Sequence, residues 1–143
     1  MCGIKKRFPI ILLHLFFSLI YAQNKETIYL NFDINSKETC RTLKDGGGYL
    51  NVKKFQKIKQ KNGDLDFYIC EELFLFKRNL EPDVCSIKQV KNIKISKIED
   101  LKKIVDKENP LYPYRVFPHL YLVEKINDST ILKYKVKWEY YIE

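Results

Sequence analysis

Three cysteines and one histidine carry the softest chemistry beyond residue 22 of this chain: Cys40, Cys70, Cys85 and His119. A thiolate beside an imidazole makes an acyl-transfer nucleophile, and three thiolates with one imidazole make a zinc site. Neither pattern has a local signature here. No C-x-x-C pair is present, and the four residues run from position 40 to position 119. Serine chemistry is no better served, because Ser36, Ser86, Ser96 and Ser129 stand in no nucleophile motif that His119 could serve. Gly46-Gly47-Gly48 is followed by Tyr49 and Leu50 rather than by the lysine and hydroxyl residue of a phosphate-binding loop, and reads as a mobile loop tip. Glu71 and Glu72 are adjacent carboxylates, but neighbours on a strand point to opposite faces and cannot converge on one substrate. They read as a strand break or an exposed edge. No catalytic residue, no metal ligand and no cofactor site is therefore assigned.

Recognition chemistry is better represented. The stretch NPLYPYRVFPHLY (109–121) interleaves three prolines with aromatic rings around Arg115. Proline stiffens a loop, and exposed Tyr and Arg are common anchors of interfaces. Tyr112, Tyr114, Arg115 and Phe117 are the expected binding residues. Between Lys37 and Lys61 there are eight basic residues and two acidic ones. Lysines that guard an edge strand account for that run, and an acidic protein, an anionic glycan or a lipid surface would also meet it.

The first 22 residues have the outline of a signal peptide: Lys5, Lys6 and Arg7, an apolar run from Pro9 to Tyr21, and small Ala22 before polar residues. Cleavage after Ala22 leaves 23–143 as one domain with no permanent membrane anchor, secreted or periplasmic. It also removes three basic and no acidic residues, so the formal charge falls from +8 to +5. With 22 lysines against 4 arginines in the full chain, the basicity is poor support for base or phosphate recognition, and no nucleic acid is expected as partner. In an oxidising compartment the three remaining cysteines give one disulfide and one thiol. Three pairings are open.

The elements that must position these groups follow from periodicity. ETIYLNFDI (26–34) is a strand with Ile28, Leu30, Phe32 and Ile34 on one face. Residues 36–50 read as a polar connection, and 51–60 as a lysine-rich strand that turns at Asn62-Gly63, a type I′ signature, into 65–77. Residues 83–96 read as a further extended segment. Ser96 and Glu99 form a capping box for a helix over 97–108, whose stripe is Ile98, Leu101, Ile104 and Val105.

The final stretch forms a hairpin of 119–126 and 131–142 closed by Asn127-Asp128-Ser129-Thr130, which also fits an N-glycosylation sequon at Asn127. Pairing Ile126 with Ile131 sets His119 beside Trp138 as a buried histidine and turns Glu124 to the outside with Lys133. Leu132, Tyr134, Val136, Trp138, Tyr140 and Ile142 then face the core, while Lys133, Lys135, Lys137 and Glu139 face away from them. That separation argues against a base-stacking strand.

The expected architecture is α+β: a small single domain, mainly antiparallel sheet, with one packed helix. The expected function is a non-catalytic exported protein that binds a protein partner, of the inhibitor or immunity type. The alternatives are a small hydrolase that uses His119 with carboxylates or Cys70, and a carrier of a small apolar ligand in the sheet-helix layer.

Overall fold

The computed structural model describes residues 26–140. The expected signal peptide, its cleavage point and Ile142 lie outside them. β1 (Ile28–Phe32) buries Ile28, Leu30 and Phe32 as its alternation requires, while Ile34 lies past its end and is exposed.

The polar connection expected over 36–50 is not a loop. β2 (Thr39–Leu43) and β3 (Tyr49–Lys53) pair as a two-stranded arm, turned at Gly46, Gly47 and Gly48, whose φ angles of 87°, 94° and 90° suit glycine alone. These strands escape periodicity because almost every position in them is exposed. After a break at Lys54, β4 (Phe55–Lys59) turns into β5 (Leu65–Ile69). In that turn Gly63 has a φ of 90° and Asn62 does not share its sign, so the type I′ expectation gives way to a turn with one left-handed residue. The break expected at Glu71-Glu72 is a tight turn through Cys70 and Glu71, and β6 (Glu72–Phe76) follows.

Residues 83–96, expected as extended, divide into β7 (Asp83–Ser86), the single-turn helix α1 (Ile87–Val90) and β8 (Ile95–Ser96). The long helix α2 (Ile98–Glu108) starts within a residue of its expected position. Its box does not form, because Ser96 is spent in β8 and Lys97 caps without a side-chain bond. Ser86 and Gln89 make a capping box on α1 instead. A second single turn, α3 (Pro113–Val116), lies in the proline-rich stretch, ahead of β9 (Leu120–Lys125) and β10 (Thr130–Glu139).

The result is a small domain, mostly strand with few helices, built on one mixed sheet in the order β4-β5-β6-β10-β9-β1-β8, with β7 also on β10. Most of its pairings are antiparallel, and β1 makes the sheet mixed by running parallel to both β9 and β8. Tight turns force antiparallel neighbours, whereas the long connections from β1 to these two strands leave direction free.

β10 is the hub. One edge pairs with β9 from Ile131 to Val136; the other pairs with β7 at Thr130 to Lys133 and with β6 at Lys137 to Glu139. Tyr134 to Val136 have no strand partner on that second edge. The sheet curls until its ends meet across the concave side. Phe32 on β1 touches Phe55 on β4 and Phe67 on β5 edge-on, at ring-centroid distances of 5.4 and 5.0 Å. Aromatic pairs in this geometry add to the area they bury. Ile98, Leu101 and Val105 of α2 join the same core, while Ile104 stays exposed.

The β9–β10 hairpin is one residue off the expected register. Lys125 rather than Ile126 faces Ile131, Leu122 faces Tyr134, and Leu120 faces Val136. Ile126 meets Thr130 instead, donating its N–H to the Thr130 carbonyl at 3.0 Å, and Asn127 Oδ1 caps the turn by accepting from the backbone N–H groups of Ser129 and Thr130. A one-residue slip exchanges the two faces of a strand. Glu124 therefore turns inward and is buried, and His119 falls before β9 and is exposed rather than packed on Trp138.

Candidate functional site

The four expected binding residues lie together at one end of the sheet and divide into two roles. Prolines 110, 113 and 118 bracket the segment, and Pro113 opens α3, where its missing N–H costs nothing. On the outside, the Arg115 guanidinium lies 4.6 Å from the Tyr112 ring and 5.9 Å from the Tyr114 ring, and those two rings meet edge-on at 6.1 Å. Phe117 turns inward and stacks on Trp138 at 6.2 Å with planes 11° apart. Tyr112, Tyr114 and Arg115 thus form a surface cluster, and Phe117 fixes it to the core.

Next to this cluster the sheet has a flaw that makes a groove. β6 leaves β10 after Leu75, β7 joins only at Lys133, and the intervening chain bows outward through Leu80. The gap is a groove of about 330 Å³ with Leu75, Leu80, Phe117 and Pro118 in its walls and the Tyr114 ring at its mouth. Every ionisable group along it other than that phenol is a lysine: Lys77, Lys135 and Lys137. Lys137 lies 4.1 Å from the Tyr114 ring centre and 2.5 Å from Glu139, and Lys77 pairs with Asp64 at 3.2 Å. Lys135 makes no ion pair among the described residues.

The outer sheet face continues this character. The rings of β10 itself, Tyr134 and Trp138, are buried, and its lysines point the other way, as the alternation requires. Yet neighbouring elements bring rings to those lysines. Tyr29 and Tyr121 stack at 5.6 Å, and the Lys133 ammonium lies within 6 Å of both. A single strand cannot reveal this, since the rings come from β1 and β9. Tyr140, expected inside, is exposed beyond the end of β10.

A second, larger groove of about 710 Å³ runs between the arm and the body, with Leu43 and Asp45 on one wall and Ile58, Tyr68 and Glu71 on the other. The arm is attached by a disulfide between Cys40 and Cys70, with Cα atoms 5.5 Å apart, and by the Lys54–Glu38 ion pair. Of the three pairings open to the sequence, this is the one formed; Cys85 is the free thiol. Leu43, Tyr49 and Leu50 are left 74%, 61% and 50% exposed along the arm.

Elsewhere the buried polar groups are consumed by structure. Glu124 takes both carboxylate oxygens to Lys57 Nζ at 2.8 Å and accepts the Tyr134 hydroxyl at 3.0 Å. Burial first, and then the Glu124 charge, hold the Tyr134 phenol well above its ordinary range. This network joins β4 to β9 and β10 across the concave face. Glu72 accepts from Trp138 Nε1 and pairs with Lys102, whose pKa is raised chiefly by that hydrogen bond. No carboxylate or cysteine hydrogen-bonds His119 among the described residues, and no group of three or more metal-ligating side chains occurs among them. No described helix is long and apolar enough to cross a membrane.

Sequence reasoning missed Lys135, Lys137, Leu75 and Leu80 as site residues. Alternation marked the lysines as outward-facing, but the gap between β6 and β7 that gives them a groove depends on strand order. Compared with protein-family models, curated proteins and solved structures, the chain matches none.

Proposed function

We propose that this is an exported, non-catalytic protein that binds a protein partner through the outer surface around Tyr112, Tyr114 and Arg115. The observation that carries this reading is the pairing of that cluster with the lysine-rimmed groove beside it. Tyr and Arg concentrate binding energy where they are held rigid, and Phe117 stacked on Trp138 supplies the rigidity. The Cys40–Cys70 bridge fits an oxidising compartment, which supports export.

The hydrolase alternative gains nothing from the geometry, because His119 is exposed, no carboxylate or cysteine hydrogen-bonds it among the described residues, and Cys70 is held in a disulfide. The apolar carrier alternative fares little better, since side chains fill the concave side and the grooves open at the surface. An inhibitor or immunity role is the form of protein binding that best suits a small rigid domain.

The test is affinity capture with tagged residues 23–143 from the native exported fraction, run beside a Tyr112→Ala, Arg115→Ala double variant whose melting matches wild type. A stoichiometric partner retained by wild type and lost from the variant supports the reading. A partner held equally by both, or none at all, rejects this surface as the binding site.

A further inference from the structure

We infer that the groove between β6, β10 and α3 takes an extended acidic peptide segment of the partner, seating one apolar side chain between Leu75 and Leu80 and laying carboxylates along the β10 lysines. The inference rests on the binding role proposed above and adds the chemistry of what is bound.

Three observations lead to it. The walls are apolar, so the groove favours a hydrocarbon or aromatic anchor of about the size of one large side chain. Its ionisable rim is cationic apart from the Tyr114 phenol, and Lys135 has no carboxylate partner among the described residues, so a neighbouring negative charge is complementary. The spacing selects an extended chain. Lys133, Lys135 and Lys137 alternate along one face of β10, so their Cα atoms repeat about every 6.7 Å, twice the rise per residue of a strand. Carboxylates at alternate positions of an extended peptide repeat at the same interval.

Lys133 and Lys137 already lie near Asp83 at 3.8 Å and Glu139 at 2.5 Å, so a peptide carboxylate would compete at those two sites and meet an open charge only at Lys135. Lys135 and the apolar anchor should therefore dominate. A uniformly charged polymer would depend on the lysines alone and would leave the Leu75–Leu80 walls unused.

The experiment is fluorescence anisotropy of the full domain, residues 23–143, with a labelled ten-residue peptide that alternates glutamate and threonine around one central phenylalanine. The expected result is saturable binding that weakens about tenfold when the ring is replaced by serine, and again about tenfold in Leu80→Asp or Lys135→Glu. Both substitutions are at exposed positions, and unchanged melting must accompany them. Equal affinity for the two peptides, no binding, or affinity unmoved by both variants overturns the inference. Single-stranded DNA or heparin binding more tightly, with loss in Lys135→Glu alone, also overturns it and assigns the face to an anionic polymer. If no peptide binds while the captured partner still depends on Tyr112 and Arg115, the binding role stands and only this assignment fails.

Discussion

Glu72 accepts the Trp138 Nε1–H at 3.0 Å with one carboxylate oxygen and holds the Lys102 ammonium with the other. One side chain thereby joins the start of β6, the end of β10 and the middle of α2. The two halves of the contact differ in worth. The indole N–H belongs to a fully buried ring and has no other acceptor among the described residues, whereas Lys102 is half exposed.

Glu72→Ala should therefore cost about 1–3 kcal/mol, the penalty of an orphaned buried donor. Glu72→Gln keeps an oxygen for the indole, loses only the ion pair, and should cost less than about 1 kcal/mol. Trp138 is the single tryptophan, so urea unfolding followed by its fluorescence reads both. Equal losses in the two variants would mean that the ion pair, not the indole bond, is the stabilising half.

Alkaline pH should destabilise the fold through Tyr134. Its folded phenol holds its proton above the ordinary value of 10.0, while the unfolded phenol loses it there. The folded state then binds more protons, so stability is complete below pH 10 and declines above it. Lys102, with its pKa raised from 10.5, acts in the same direction over the same range. Tyr134→Phe should start less stable at neutral pH, having lost a buried hydrogen bond, yet fall less steeply in melts from about pH 8 to 11. A slope matching wild type would exclude Tyr134 as the source.

Lys57 and Glu124 tie β4 to β9 across the concave face, strands that are not neighbours in the sheet. Lys57→Met leaves the Glu124 carboxylate, 3% exposed, with only a tyrosine hydroxyl, and should cost about 3–5 kcal/mol. Adding Glu124→Leu should recover much of that loss, because two apolar side chains of similar volume remove the unpaired charge. Thermal melts of the two singles and the double decide it. Additive losses would show that the pair does not act as a unit.

Removing the Cys40–Cys70 bridge as a double serine variant should cost about 3 kcal/mol if unfolding stays cooperative. The arm offers few buried apolar contacts, so faster amide exchange should concentrate in residues 39–53 while β9 and β10 keep their protection. Uniform acceleration across the sheet would make the arm part of the folding unit.

How much of this was legible in the sequence depended on burial pattern. β1 and the apolar stripe of α2 announce themselves because one face is buried and the other wet, and Tyr134 and Trp138 were placed inside by the same rule. The arm was invisible because it buries only Thr42 fully and no apolar side chain, which leaves no apolar alternation to read. The β9–β10 register was missed because Asn127 Oδ1 shortens the hairpin by one step, and with it the inward turn of Glu124 and the outward position of His119. The tyrosine and arginine cluster was readable from composition, because prolines confine those rings to one short segment. Its groove was not, because the gap between β6 and β7 is a property of strand order.

β10 follows in the chain every strand that it joins, and both of its edges are used. A nascent chain that has reached Ser129 already holds β6, β7 and β9, but they have nothing to unite them. The β4–β5–β6 ladder can form earlier as a local unit, while the curl, the Phe32 contacts with β4 and β5 and the seat for Phe117 must all wait. Synthesis thus delivers a polypeptide that stays threadable until its central strand appears, and one that needs protection from self-association while its aromatic faces are bare. Under the export proposed above, late closure of this kind would leave the chain open until its last strand is made.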